Sequence, residues 1–147
     1  MLIVHGFGEN SDLFIETAMT YALNSIDVHM LDLTGFGYSG GKKMAKNNIE
    51  TFMVDITDIM QHLSPSLPLF LYGHSMGGLT LVSFLINNNN LNIAGVILSA
   101  PFLAFTKDNE IDNFKRVAVR AMSKELDNLV LNPMISLDII SRDLKIL

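Results

Sequence analysis

One short segment concentrates the residues that could do covalent chemistry. In Pro68-Leu69-Phe70-Leu71-Tyr72-Gly73-His74-Ser75-Met76-Gly77-Gly78-Leu79 an apolar run meets a G-x-S-x-G pattern and then residues of helical character. A serine at a tight turn between strand and helix holds its hydroxyl clear of the backbone, where it can attack an acyl carbonyl. The bare pattern arises by chance in roughly one chain in twenty of this length, so its weight comes from the strand, turn and helix around it. Glycine is required at Gly73 and Gly77 because side chains there would collide where the helix crosses the strand. The turn itself forces Ser75 into a strained conformation. The plainer alternative is a serine that merely caps the following helix.

Such a nucleophile needs donors aimed at the oxygen that turns negative in the tetrahedral intermediate. The Met76 amide, at a helix N-terminus, supplies one. A second is expected from a loop after an earlier strand, and Val4-His5-Gly6-Phe7-Gly8 runs from a strand into a glycine-rich turn, making the Phe7 amide the candidate. Losing one donor of this kind costs about 2.7 to 4 kcal/mol of transition-state stabilisation, so this loop matters as much as the serine. The histidines are His5, His29, His62 and His74. His5 and His74 flank these elements, where His5 could be imagined as a base. His29 reads as a core residue of a strand, His62 as a solvated helix end, and neither suggests a metal site. Asp32, before Gly35 and Gly37, reads as a turn cap.

The elements that must position these groups follow from hydrophobic patterning. Short apolar runs at Leu2 to Val4, Val28 to Leu31, Leu69 to Tyr72 and Gly95 to Ser99 read as strands. Between them, Ser11 to Leu23 and Met76 to Ile86 read as helices, the latter stopped by the Asn87 to Asn90 tract, a solvated loop. The clearest helix sets Ile49, Phe52, Met53, Ile56, Ile59, Met60 and Leu63 on one stripe. Asn48 is its N-cap, and Glu50, Asp55 and Asp58 face water. Strands apolar at nearly every position, alternating with helices, imply an α/β fold with a parallel sheet covered on both faces. Residues 1–101 read as this core. Residues 102–147, with a mixed-charge helical segment at 111–126 and a broken apolar stretch at 129–140, read as a cap. Met44, Met53, Met60 and Met122 are expected as gap-fillers.

Composition narrows the chemistry. The 147 residues are 49% hydrophobic and 17% charged, enough for a packed core, and contain no cysteine, which excludes disulfides, thiolate metal sites and a cysteine nucleophile. A net charge of −5, with only Lys42, Lys43 and Lys46 clustered, argues against a nucleic-acid partner. No apolar run approaches the roughly 20 residues of a membrane span, and no signal peptide is visible. A cytoplasmic or peripheral-membrane location is expected, with any membrane contact made through the cap.

Three segments in order resemble successive signatures of monoacylglycerol lipases and serine aminopeptidase-like hydrolases of the α/β-hydrolase fold. They are His5-Gly6-Phe7-Gly8-Glu9-Asn10-Ser11, Asp32-Leu33-Thr34-Gly35-Phe36-Gly37-Tyr38-Ser39-Gly40, and Gly73 to Gly78; Leu137-Asp138-Ile139-Ile140-Ser141-Arg142-Asp143 is similar to a stretch these enzymes carry after their cap helices. The resemblance implies ester hydrolysis without a cofactor or metal on a lipid-like acyl ester. It also implies Ser75 as nucleophile, Phe7 and Met76 amides as oxyanion hole, Gly6, Gly73, Gly77 and Gly78 as loop and elbow glycines, and His5 and His74 as supports.

It further implies that the four strands are the third to sixth of an eight-stranded sheet, in the spatial order fourth, third, fifth, sixth. In that fold the acid and the histidine follow the serine, yet no histidine follows His74. Met1 falls within what would be the third strand, so a partial fold is expected. Losing a triad histidine costs about a million-fold in turnover, so negligible esterase activity is expected of this chain alone. The expected partner is a complementing segment or protein. The alternative role is a non-catalytic partial hydrolase serving as a structural or binding element.

Overall fold

The computed structural model describes residues 1–42 and 47–103. Four strands, β1 (Leu2–Val4), β2 (His29–Leu31), β3 (Leu69–His74) and β4 (Ile93–Ser99), form one parallel sheet in the order β2-β1-β3-β4. Its helices are α1 (Ile15–Ala22), α2 (Ile49–Met60) and α3 (Met76–Asn87). This is the expected α/β architecture and strand order. Among the described residues no helix is long and apolar enough to cross a membrane.

Alternation along the strands builds two cores, because successive side chains point to opposite faces. Leu2, Val4 and Leu71 pack with Phe52, Ile56, Leu81 and Phe84 from α2 and α3. Met1 and Ile3 pack with Phe14 and Ala18 at and before α1, with Tyr72 and Met30 partly buried beside them. The stripe expected on α2 is the one that packs inward, with Met53, Ile59, Met60 and Leu63 around buried Phe52 and Ile56. Asn48 is its cap, accepting from the Thr51 amide at 3.0 Å.

Three local expectations are corrected. The helix expected from Ser11 opens as a 3-10 turn over Ser11–Phe14, and α1 proper starts at Ile15. Asn10 makes no side-chain cap, and the Ser11 amide is instead taken by Asp32 Oδ1 at 2.6 Å. Asp55 does not face water. Its carboxylate accepts from the Thr34 amide and hydroxyl, both at 2.7 Å, tying α2 to the loop after β2. The Asn tract is not all loop, for Asn87 ends α3, and the side chains of Asn87 and Asn88 donate to the carbonyls of Ser83 and Phe84 at 2.8 Å. The Phe84 carbonyl is one that the helix C-terminus leaves without an intrahelical amide. The cap expected over 102–147, with the helical segment at 111–126 and Met122, lies outside the described residues apart from its first two positions, as does Met44.

The strand order fixes where a site can form. The chain leaves β1 toward β2 on one side and returns through α2 to β3 on the other, so β1 and β3 flank a switch point. In open parallel sheets, ligand crevices open beyond the C-terminal ends of such strands. The register aligns Val4 with Gly73, Val4 with Leu31 and His74 with Ser99. The segments starting at His5, Asp32, Ser75 and Ala100 therefore leave the sheet at one edge.

Candidate active site

Ser75 joins β3 to α3 with φ 48° and ψ −114°, a backbone conformation that a residue with a side chain rarely adopts. The surroundings hold it there. Its amide donates to the Ser99 carbonyl at 3.0 Å, and its carbonyl accepts from Leu79 at 3.2 Å and Phe102 at 3.0 Å. The glycines allow the close approach. A Cβ on Gly73 would lie 2.8 Å from the backbone of Gly78 and 2.7 Å from Leu81 Cδ1, and one on Gly78 would lie 2.9 Å from Pro101 Cβ. At Gly77 the obstacle is not β3 but its neighbour. An added Cβ would come within 2.5 Å of the His5 carbonyl oxygen and closer still to that of Val4. The first turn of α3 therefore rests on the end of β1, and only glycine permits it.

The loop after β1 closes over the same point. Gly6 is buried, and a Cβ built on it would sit 3.1 Å from Ser75 Cβ. The Glu9 amide donates back to the Gly6 carbonyl at 3.3 Å, while the Gly6 amide donates to Glu9 Oε2 at 2.6 Å. Phe7 stands at the centre of this turn, its ring edge-on to Phe36 with centroids 5.7 Å apart, and Gly8 follows at φ 77°. Among the described residues neither the Phe7 nor the Met76 amide donates to a backbone or side-chain acceptor. The Met76 amide lies at the positive end of the α3 dipole, as the first residue of that helix.

The histidines divide by their hydrogen bonds. His5 is buried; Nδ1 donates to the Gly6 carbonyl at 2.7 Å and Nε2 accepts from the Leu33 amide at 3.1 Å. Burial pushes its pKa down, against the opposing pull of the Gly6 carbonyl and of Asp32 and Glu9. A neutral ring with both nitrogens engaged braces the loop and has no lone pair left to take a proton from Ser75. His74 lies beside Ser99, Nδ1 to Oγ at 3.2 Å, and faces Glu9, Nε2 to Oε1 at 3.5 Å. His29 is not the core residue expected from its strand. It is half-exposed, with Nε2 3.1 Å from Asp27 Oδ2, because β2 is an edge of the described sheet and leaves that ring open to water. His62 is exposed.

Asp32 caps the next loop as expected, Oδ1 accepting from the Ser11 amide at 2.6 Å and Oδ2 from Tyr38 at 2.8 Å. Burial raises its pKa, but these hydrogen bonds and the nearby His5 outweigh burial and leave it lowered. Glu9 is the site residue that residue-level reasoning did not single out. Its only signal was its place in the His5 to Ser11 segment. Among the described residues no three histidine or carboxylate side chains gather as metal ligands.

Comparison with known proteins gives a consistent picture. Residues 1–147 match the family described as serine aminopeptidase, S33. The chain is 32% identical over 146 residues to human monoglyceride lipase, covering 97% of this chain and 47% of that protein. It is 26% identical over 147 residues to phospholipase YtpA of Bacillus subtilis, covering 97% of this chain and 55% of that one. The crystal structure of a monoacylglycerol lipase from Paleococcus ferrophilus superposes with a TM-score of 0.77 at 27% identity, over 97% of this chain and 53% of that one. The chain therefore spans about half the length of these relatives.

Proposed function

The chain belongs to the serine aminopeptidase S33 family, and from that premise we propose that it is the nucleophile-bearing part of a carboxylic ester hydrolase acting on lipid-like acyl esters. The observation that carries the proposal is the strained turn at Ser75, φ 48°, with the Gly6 loop pressed against it. Ser75 Oγ attacks the acyl carbonyl and the Phe7 and Met76 amides hold the oxyanion. The ester C–O bond then breaks to release the alcohol and leave an acyl-serine that water hydrolyses. Monoglyceride lipases and a phospholipase among the relatives support an acyl ester of lipid type as the substrate class.

The proton of Ser75 needs a base, and the histidines of this chain do not supply one. His5 is committed to backbone partners, His74 faces Glu9 and Ser99, and His29 and His62 lie elsewhere. We place the acid and base outside residues 1–147, so the isolated chain has negligible esterase activity. Residues 1–101 serve as core and 102–147 as cap. A fluorophosphonate probe followed by intact mass and peptide mapping tests this in the native polypeptide. Label on Ser75 in a species heavier than 16.3 kDa supports the reading. A 16.3 kDa species carrying no label would instead favour a non-catalytic structural or binding role.

A further inference from the structure

Glu9 bridges the Gly6 loop and the serine elbow. One carboxylate oxygen accepts the Gly6 amide at 2.6 Å, a short bond in the direction a charged acceptor favours. The other lies 3.5 Å from His74 Nε2, on the residue directly before Ser75. The carboxylate also occupies the space a side chain at Gly6 would need, 2.8 Å from the position of such a Cβ. On the far side of the ring, His74 Nδ1 reaches Ser99 Oγ at 3.2 Å, and the Ser99 carbonyl accepts the Ser75 amide at 3.0 Å. A chain of polar contacts, hydrogen-bonded except at the 3.5 Å approach of Glu9 to His74, thus runs from Gly6 through Glu9, His74 and Ser99 to Ser75.

From this chain we infer that Glu9 is a positioning residue for the oxyanion hole. It fixes the Phe7 amide relative to the Met76 amide by clamping the Gly6–Glu9 turn to the elbow. The inference rests on the reading of Ser75 as nucleophile, because only then does the relative aim of those two amides matter. The geometry explains why the turn needs the clamp. Gly6 and Gly8 flank Phe7, Gly8 lies at φ 77°, and a segment so rich in glycine has many alternative conformations. A hydrogen bond at each end of the turn, Glu9 amide to Gly6 carbonyl and Gly6 amide to Glu9 carboxylate, selects one of them.

The test compares Glu9→Ala, Glu9→Gln and His74→Gln in the native polypeptide by amide exchange and amide chemical shifts, with thermal unfolding as a check on folding and light scattering as a check on self-association. Glu9→Ala is expected to speed exchange at Gly6 by about tenfold or more and to shift the Ser75 and Met76 resonances on the other loop. Glu9→Gln, which keeps an acceptor oxygen, is expected to restore Gly6 protection. His74→Gln is expected to keep Gly6 protected while still shifting Ser75 and Met76, and it gives a readout even if Glu9→Ala fails to fold. Unchanged exchange at Gly6 in Glu9→Ala, no restoration by Glu9→Gln, or unmoved Ser75 and Met76 resonances in His74→Gln would each overturn the inference. Phosphonate labelling separates it from the nucleophile reading. No label on Ser75 in the native polypeptide sinks the latter alone, whereas labelling equally fast in wild type and Glu9→Ala sinks the positioning role alone.

Discussion

His5 donates from Nδ1 to the Gly6 carbonyl and accepts at Nε2 from the Leu33 amide, so protonating it would place a charge in a buried site and break the Leu33 bond. The folded state therefore holds the ring neutral and its pKa below the ordinary 6.5. Below pH 6.5 the unfolded chain binds a proton that the folded one refuses, so stability falls as pH drops from 6.5 toward the lowered folded value and is unaffected above 6.5. Urea midpoints across this range should slope for the wild type and flatten for His5→Gln; equal slopes would refute the assignment. Asp32 acts in a more acid window. Its contribution is present above the ordinary value of 3.8 and is lost as pH falls through the lowered folded value. Gly77→Ala brings a Cβ against two carbonyl oxygens of the β1 end, which side-chain rotation cannot relieve. It should cost about 3 kcal/mol by chemical denaturation, and a loss of under about 1 kcal/mol would contradict the geometry.

At the scale of elements, α2 is the brace for the loop after β2. Its N-terminus is capped by Asn48, one face packs on the sheet, and Asp55 in its second turn holds Thr34 through two bonds at 2.7 Å. Asn48→Ala should lower stability by about 1 kcal/mol, the usual cost of an N-cap, as read from urea midpoints. Asp55→Ala should cost more than that, because it leaves the half-buried Thr34 amide without its acceptor. Equal effects of the two changes would show that the Thr34 contact is dispensable. The loop so braced carries Leu33 and Phe36, whose contacts with His5 and Phe7 pass its position on to the Gly6 turn.

For the whole molecule, the described sheet is well covered at its centre and open at its two edge strands, β2 and β4. β1 is fully buried, whereas Val96, Ile97 and Leu98 on β4 are 40%, 37% and 37% exposed, and among the described residues β4 pairs only with β3. An apolar strand with one free edge is a template for pairing with another chain. The isolated 147-residue chain should self-associate at micromolar concentration, and Val96→Lys with Ile97→Lys should raise the concentration at which light scattering begins. An unchanged onset would place the sticky surface elsewhere.

The order of strands and helices, the parallel sheet with two covered faces and the serine elbow were legible in the sequence. Each depends on periodicity or on a glycine pattern confined to a few adjacent residues. What only the tertiary structure decided is how residues far apart in the chain commit one another's polar groups. The His5 ring is set by Leu33, 28 positions on, and Thr34 meets Asp55 21 positions on, so a residue that helical periodicity assigns to water becomes a strut. His29 sits in an apolar strand, yet its place at the edge of the described sheet leaves its ring to water and Asp27. Gly77 was marked by its spacing, but that its neighbour is the end of β1 follows from the crossover that sets β1 beside β3. Glu9 had no pattern to announce it, because a carboxylate's reach to an amide three residues back and to a histidine on another strand exists only once both loops leave the same edge of the sheet.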